Sequence, residues 1–297
     1  MDLAAGGWSV LRPAENIYAF YAGRPRNGFP DDVPMTWVED GALSLGVASY
    51  AIVDGEDALV YDSHTTPAHA REVRRELEAA GVKRFTVLLS HWHLDHVAGT
   101  EVFADGEVIA GELTNEWLTT HREAIENGTH EGPPAINPLI LPTRVLSGPA
   151  TLHVGSITAE AFPTDIHSRD HYVLWLPEQR ILLAGDTVED TLTYIGEPDR
   201  LEKHLADFHK LTDLGPERIL PAHGAPEIIA SGGYDTGIIR ATEQYIEWLL
   251  RAKADPSLRT VPLRDVLAGP LDRGWCTYYE PYEAVHLTNL KLLLGNG

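Results

Sequence analysis

The chain has 297 residues, 43% apolar and 23% charged, with one cysteine and a formal net charge of −21. A single cysteine excludes an internal disulfide and a four-cysteine zinc site, so Cys276 is expected as a small buried or half-buried residue. So acidic a surface repels nucleic-acid phosphates and anionic membranes, which excludes both as expected partners and leaves a small-molecule substrate.

In chain order, residues 47–53 and 58–62 read as two strands around an Asp54-Gly55 turn. Thr66 as N-cap, Pro67 behind it and Gly81 as a stop frame a helix, with Val73, Leu77 and Ala80 facing inward. Residues 85–89 form an apolar, β-rich run, as a strand covered on both faces would. A strand–helix pair follows at 107–110 and 114–126. Residues 127–142 carry four prolines and read as a loop, a candidate lid. Strands are expected near 151–154, 157–162, 171–176 and 180–184, then a helix at 199–214 and a short strand at 218–220. Residues 234–297 read as helical: one helix through Tyr245, Trp248 and Leu249, another through Leu287, Leu290, Leu293 and Leu294. Strands with interposed helices, twice over, argue for α/β layers with helices outside. The division expected is a catalytic unit over 1–233 and a helical segment over 234–297 packed on the core, with a homodimer contact as the alternative use of that segment.

The chemistry concentrates in His91-x-His93-x-Asp95-His96, directly after the 85–89 strand. Imidazoles and a carboxylate suit zinc, and also iron or manganese. In extended chain His91 and His93 point to one side, whereas the adjacent Asp95 and His96 diverge and could serve a second ion. The C-terminal end of a strand is where open α/β sheets place ligand crevices. Further on come His167 in Asp165-Ile166-His167, Asp186 in Gly185-Asp186-Thr187 at a strand end, and His223 in Pro221-Ala222-His223-Gly224 after another strand.

As an ordered set over about residues 45–230, these motifs resemble the metallo-β-lactamase superfamily of metal-dependent hydrolases. The resemblance implies a four-layer αββα sandwich with a C-terminal helical extension. It implies that His91, His93 and His167 hold one ion, that Asp95, His96 and His223 hold another, and that Asp186 bridges them. Asp62 would support the site, and His171 would be structural or lie just behind the ligands. Ile166 stands where many relatives carry glycine. Two Zn²⁺ ions would be the cofactor, with iron or manganese as substitutes.

Two divalent ions beside two carboxylates leave excess positive charge, which lowers the pKa of bound water from about 15.7 towards 7 and supplies hydroxide. Asp95 would be the catalytic residue, orienting that hydroxide or carrying a proton to the leaving group. An aspartate at the bridging position resembles the glyoxalase II, lactonase and phosphodiesterase branches, so the expected substrate is a small ester, thioester or lactone. The alternatives are a β-lactamase or hydrolytic dehalogenase on the same site, a mononuclear iron sulfur dioxygenase, and a non-catalytic binding protein on this scaffold. Met35, Trp37, Trp92 and Tyr194 are candidate pocket residues for an apolar, aromatic substrate. Arg240, Arg251 and Lys253 read as solvated helix charges. His64 reads as lying behind the ligands or on the surface, His204 and His209 as surface residues, and His121 and His130 carry no role. With no run of about 18 apolar residues and no basic, apolar leader at the start, a cytoplasmic protein is expected.

Overall fold

The computed structural model describes residues 7–25 and 35–295. Its first two strands lie outside the pattern read above. β1 (Ser9–Ala14) and β2 (Ile17–Ala22) form an antiparallel hairpin. β2 is almost wholly buried and so shows no polar alternation, while β1 is an edge strand.

β3 (Val47–Asp54), β4 (Asp57–Tyr61), β5 (Arg84–Leu88), β6 (Glu107–Gly111) and β7 (Arg144–Leu146) continue the sheet in sequence order. Pairing is antiparallel as far as β4 and parallel from β4 to β7. A second sheet holds β8 (Ala150–Val154), β9 (Ile157–Pro163), β10 (Tyr172–Leu176), β11 (Ile181–Gly185) and β12 (Arg218–Pro221), ordered β12-β11-β10-β9-β8. Only its β11/β12 pair is parallel.

The period of two along β4 shows how the layers form. Ala58 and Val60 point outward to Val73 and Leu77 of α1 (Pro67–Ala79), in an apolar cluster whose boundary with the inner core is the sheet itself. α2 (Leu94–Val97) and α3 (Glu112–Glu126) cover the same face. Leu59 and Tyr61 point inward, into a core shared with Leu152, Ala159 and Leu174 of the second sheet. The outer face of that sheet is covered by α4 (Leu201–Asp213), α5 (Pro226–Ala230) and α6 (Gly237–Ala254). The short α7 (Leu263–Val266) and α8 (Ala268–Asp272) lead to α9 (Tyr282–Leu293). Phe208, Ile239, Tyr245, Leu249 and Leu290 from these helices belong to the inner cluster. Fully burying each such side chain contributes about 1.5–3 kcal/mol. The result is the expected αββα sandwich with C-terminal helices.

Four local expectations are corrected. Leu287 is 55% exposed, because the inward face of α9 is carried by Tyr282, His286, Asn289, Leu290 and Leu293. His204 is fully buried rather than on the surface: it lies on the inner side of α4, beside Asp165. Ala80, expected on the inward face of α1, is exposed at the helix's C-cap. Of the two readings of His64 only the surface one fails: it is fully buried, with its ring stacked on His69 at 4.6 Å. His209 is exposed and Cys276 buried, as read from the sequence. Among the described residues no helix is long and apolar enough to cross a membrane.

Candidate metal centre

The parallel strands bring several C-terminal ends to one edge of the sandwich, and the loops there carry the chemistry. After β4 the chain turns at Asp62, whose φ of 66° is uncommon for a residue with a side chain. The buried Asp62 carboxylate accepts from Ser90 N–H at 2.7 Å and from Ser90 Oγ at 2.9 Å. It also accepts from His96 Nδ1 at 2.8 Å, which turns His96 Nε2 inward. One carboxylate thus fixes both the loop after β5 and one imidazole on it.

The second sheet supplies the remaining groups. His167 sits between β9 and β10 at φ 68°. Ile166 before it is fully buried, and Asp165 is ion-paired with Arg200, so the side chain that replaces the expected glycine is absorbed by the core. Asp186 follows Gly185, whose φ is 54°; a Cβ there would come within 2.5 Å of His171 Nε2. That same Nε2 accepts from Asp186 N–H at 3.1 Å. His171 also stacks on His91 at 4.9 Å, so it lies behind the ligand candidates and steadies two of them. His223 follows β12, and its Nδ1–H donates to the Gly46 carbonyl at 2.8 Å.

All seven candidate ligands converge, in two groups. His91, His93, His167 and Asp186 form one; Asp95, His96 and His223 form the other. Within each group the ligand atoms lie within 4.8 Å of one another. Asp186 Oδ2 stands between the groups: it is 3.2 Å from His96 Nε2 and 3.6 Å from Nε2 of His91, His167 and His223. Asp95 Oδ2 is 3.4 Å from His223 Nε2 and 3.5 Å from His96 Nε2. His167 Nε2 faces His93 Nδ1 at 3.0 Å.

The residues fit a metal. His91 Nε2 and Asp186 Oδ1 are buried with no hydrogen-bond partner, a costly condition that a cation would relieve. Imidazoles and carboxylates form a borderline-to-hard set suited to zinc, iron or manganese. Burial, together with neighbouring imidazoles, pushes His93 down to about 3 and His167 to about 4, and holds His91 well below the ordinary histidine value. His96 and His223 resist burial because Asp186 and Asp95 hold them protonated, well above the ordinary value. A metal ion entering the second group would displace those protons.

The cluster opens into a cleft of about 870 Å³. Trp37 and Tyr194 line it, as expected, and so does Trp92. Met35 does not: it is 57% exposed and stands outside the cleft. Trp92 stacks on Trp117 at 4.6 Å, and Trp117 on His121 at 4.2 Å, making an aromatic wall. His130 meets Trp92 at 5.5 Å.

Trp117, Glu189 and the Ala284–Val285–Thr288 side of α9 were not anticipated. Trp117 had a signal: Leu113, Trp117 and His121 recur every four residues on α3, a stripe separate from buried Thr114, Leu118 and Ile125. Glu189 had none, since nothing local separates a buried acid from a surface one. It is 2% exposed, and burial pushes its carboxyl up to about 8.

Comparison with known proteins agrees with this geometry. Residues 44–223 match the family described as the Metallo-beta-lactamase superfamily. The Aspergillus fumigatus protein named atrochrysone carboxyl ACP thioesterase is 29% identical over 225 residues, covering 71% of this chain and 65% of its own length. The Caenorhabditis elegans beta-lactamase-like protein 2 homolog is 24% identical over 169 residues, covering 57% of this chain and 49% of its own. The chain therefore spans about half to just under two thirds of the length of these relatives. The solved DIM-1 metallo-beta-lactamase superposes with a TM-score of 0.60 at 18% identity, covering 81% of this chain and 97% of that one, a likeness of fold.

Proposed function

The chain belongs to the metallo-beta-lactamase superfamily, and on that premise we propose that it is a dinuclear zinc hydrolase of a small ester, thioester or lactone with an apolar, aromatic body. The observation that carries this reading is Asp186 Oδ2, facing Nε2 of four histidines at 3.2–3.6 Å. One carboxylate so surrounded is suited to joining two ions. His91, His93 and His167 would hold the first, Asp95, His96 and His223 the second.

Divalent ions held by these residues would supply hydroxide at neutral pH and polarise a substrate carbonyl. The chain's own residues do the rest. Asp95, less buried than its neighbours and lining the cleft, is placed to orient the nucleophile and carry a proton to the leaving group. The Trp92–Trp117–His121 stack offers a flat face to a planar acyl group, and Trp37 and Tyr194 narrow the cleft. The thioesterase name of one relative supports the acyl-transfer reading.

The test is metal analysis joined to a substrate panel. Two zinc ions per chain with hydrolysis of aromatic thioesters, esters or lactones is the expected result. A single iron with oxygen consumption, halide release from halogenated aromatics, or β-lactam cleavage as the dominant turnover would each overturn it. So would a metal-loaded chain with no turnover on any of these classes.

A further inference from the structure

Every ligand candidate lies between residues 91 and 223, yet the segment that aims one of them is fastened by a helix beyond that range. Residues 187–196 follow Asp186 and contain no helix or strand; backbone bonds hold the segment at Thr187, Asp190 and Gly196, and side-chain bonds fix the stretch between. Three such bonds come from α9. Asn289, 1% exposed, accepts from Ile195 N–H at 2.8 Å and donates to the Thr193 carbonyl at 3.1 Å. Tyr282, fully buried and two turns earlier on the same helix face, donates its hydroxyl to Glu189 at 3.0 Å. The other oxygen of Glu189 accepts from Tyr194 N–H at 2.9 Å.

Tyr194 is thus gripped from both sides: its own N–H by Glu189, and its flanking residues by Asn289. Its carbonyl accepts from His167 Nδ1 at 3.0 Å. An imidazole that donates through Nδ1 presents a bare Nε2, and here that nitrogen points at Asp186 and His93. The His167 backbone is held by Gly196 N–H on its carbonyl at 3.2 Å, but the orientation of its ring is set by the bond from Nδ1 to the Tyr194 carbonyl.

We propose that α9 sets the metal affinity of the His91–His93–His167 group, with Asn289, Tyr282 and Glu189 as positioning residues that hold the Tyr194 carbonyl against His167. This rests on reading the cluster as a metal site. It assigns the C-terminal segment a part in the centre itself, in addition to covering the second sheet.

The test compares the two zinc-binding steps of the purified chain, by chelator competition, with the melting temperature of the zinc-free chain. Asn289→Leu and Tyr282→Phe should weaken one step by about 10- to 100-fold while sparing the other, as loss of an outer hydrogen bond to a ligating histidine does. Glu189→Leu removes the acceptor of both Tyr194 N–H and Tyr282 O–H and should weaken the same step. Leu287→Ala, exposed on the same helix, should change neither step. Tyr282→Phe removes a single oxygen, so it reports even where Asn289→Leu fails to fold. Variants that match wild type at both steps, or lose both equally in proportion to their melting temperature, overturn the proposal. If the wild type binds two ions and only the variants disappoint, this inference alone fails; if the wild type takes up no metal, the reading of the site fails with it.

Discussion

Asp62 shows how much one buried carboxylate can organise. It accepts from the Ser90 backbone, the Ser90 hydroxyl and His96 Nδ1. In Asp62→Ala those donors lose their acceptor, and hydrogen bonds to a charged group are each worth about 1.5–3 kcal/mol. The expected outcome is a lower melting temperature and zinc binding weakened by about 10- to 100-fold, measured by thermal denaturation and chelator competition. Removing a ligand candidate outright should do more: Asp186→Ala or His93→Ala should abolish metal-dependent turnover, and full activity with full metal content would contradict the assignment. Outside the centre, burial pushes His69 down to about 4 from 6.5. Its folded form is neutral, so between those values the unfolded chain binds the extra proton and stability falls as pH drops through that window. The contribution lost is about 3 kcal/mol. His69→Phe keeps a flat ring beside His64 and should flatten the decline in melting temperature between pH 6.5 and pH 4; an unchanged slope would refute this. The ligand candidates could be read from the chain because histidines packed after an apolar strand are chemically conspicuous. Glu189 could not, because its identity as a buried acid depends on Tyr282 and Tyr194, partners that only folding supplies.

Elements with local punctuation were legible, and those defined by long-range burial were not. α1 begins at Pro67 behind the Thr66 cap, whose hydroxyl accepts from His69 N–H at 3.3 Å. The β1–β2 hairpin carries no glycine at its turn, and β2 hides its alternation in near-complete burial. On α9 the leucine spacing suggested an inward Leu287, but the polar Asn289 and His286 take the buried face because each finds hydrogen-bond partners there. α3 carries two stripes with different work: Leu118 and Ile125 pack on the sheet, while Leu113, Trp117 and His121 face the cleft. Trp117→Ala should lower the melting temperature through the lost stacking on Trp92 and His121, and lower kcat/KM for bulky aromatic thioesters. A stacking contact of about 0.5–1.5 kcal/mol corresponds to a loss of up to about tenfold. Acetyl thioesters, too small to reach the wall, should be turned over as before. Equal loss on both substrates would argue against the wall as a recognition surface.

At the scale of the molecule, the C-terminal helices share one apolar core with both sheets. Ile238, Ile239, Tyr245 and Ile246 are fully buried against residues from before position 233. A chain cut after residue 233 would uncover that surface, and losing the burial of four such side chains costs about 6–12 kcal/mol, comparable to the whole typical stability of about 5–15 kcal/mol. We expect it to melt without a cooperative transition or to aggregate, as differential scanning calorimetry would reveal. The architecture also divides the ligand candidates between layers. His91, His93, Asp95 and His96 hang from the first sheet, and His167, Asp186 and His223 from the second. Any cation held between them therefore works as a clasp across the sandwich. Chelation should loosen the whole fold from its catalytic rim, with amide exchange quickening first at the C-terminal ends of β5 and β11 and last on the far side, where apolar packing and the hydrogen bonds of Ser156 to Asp54 join the two halves.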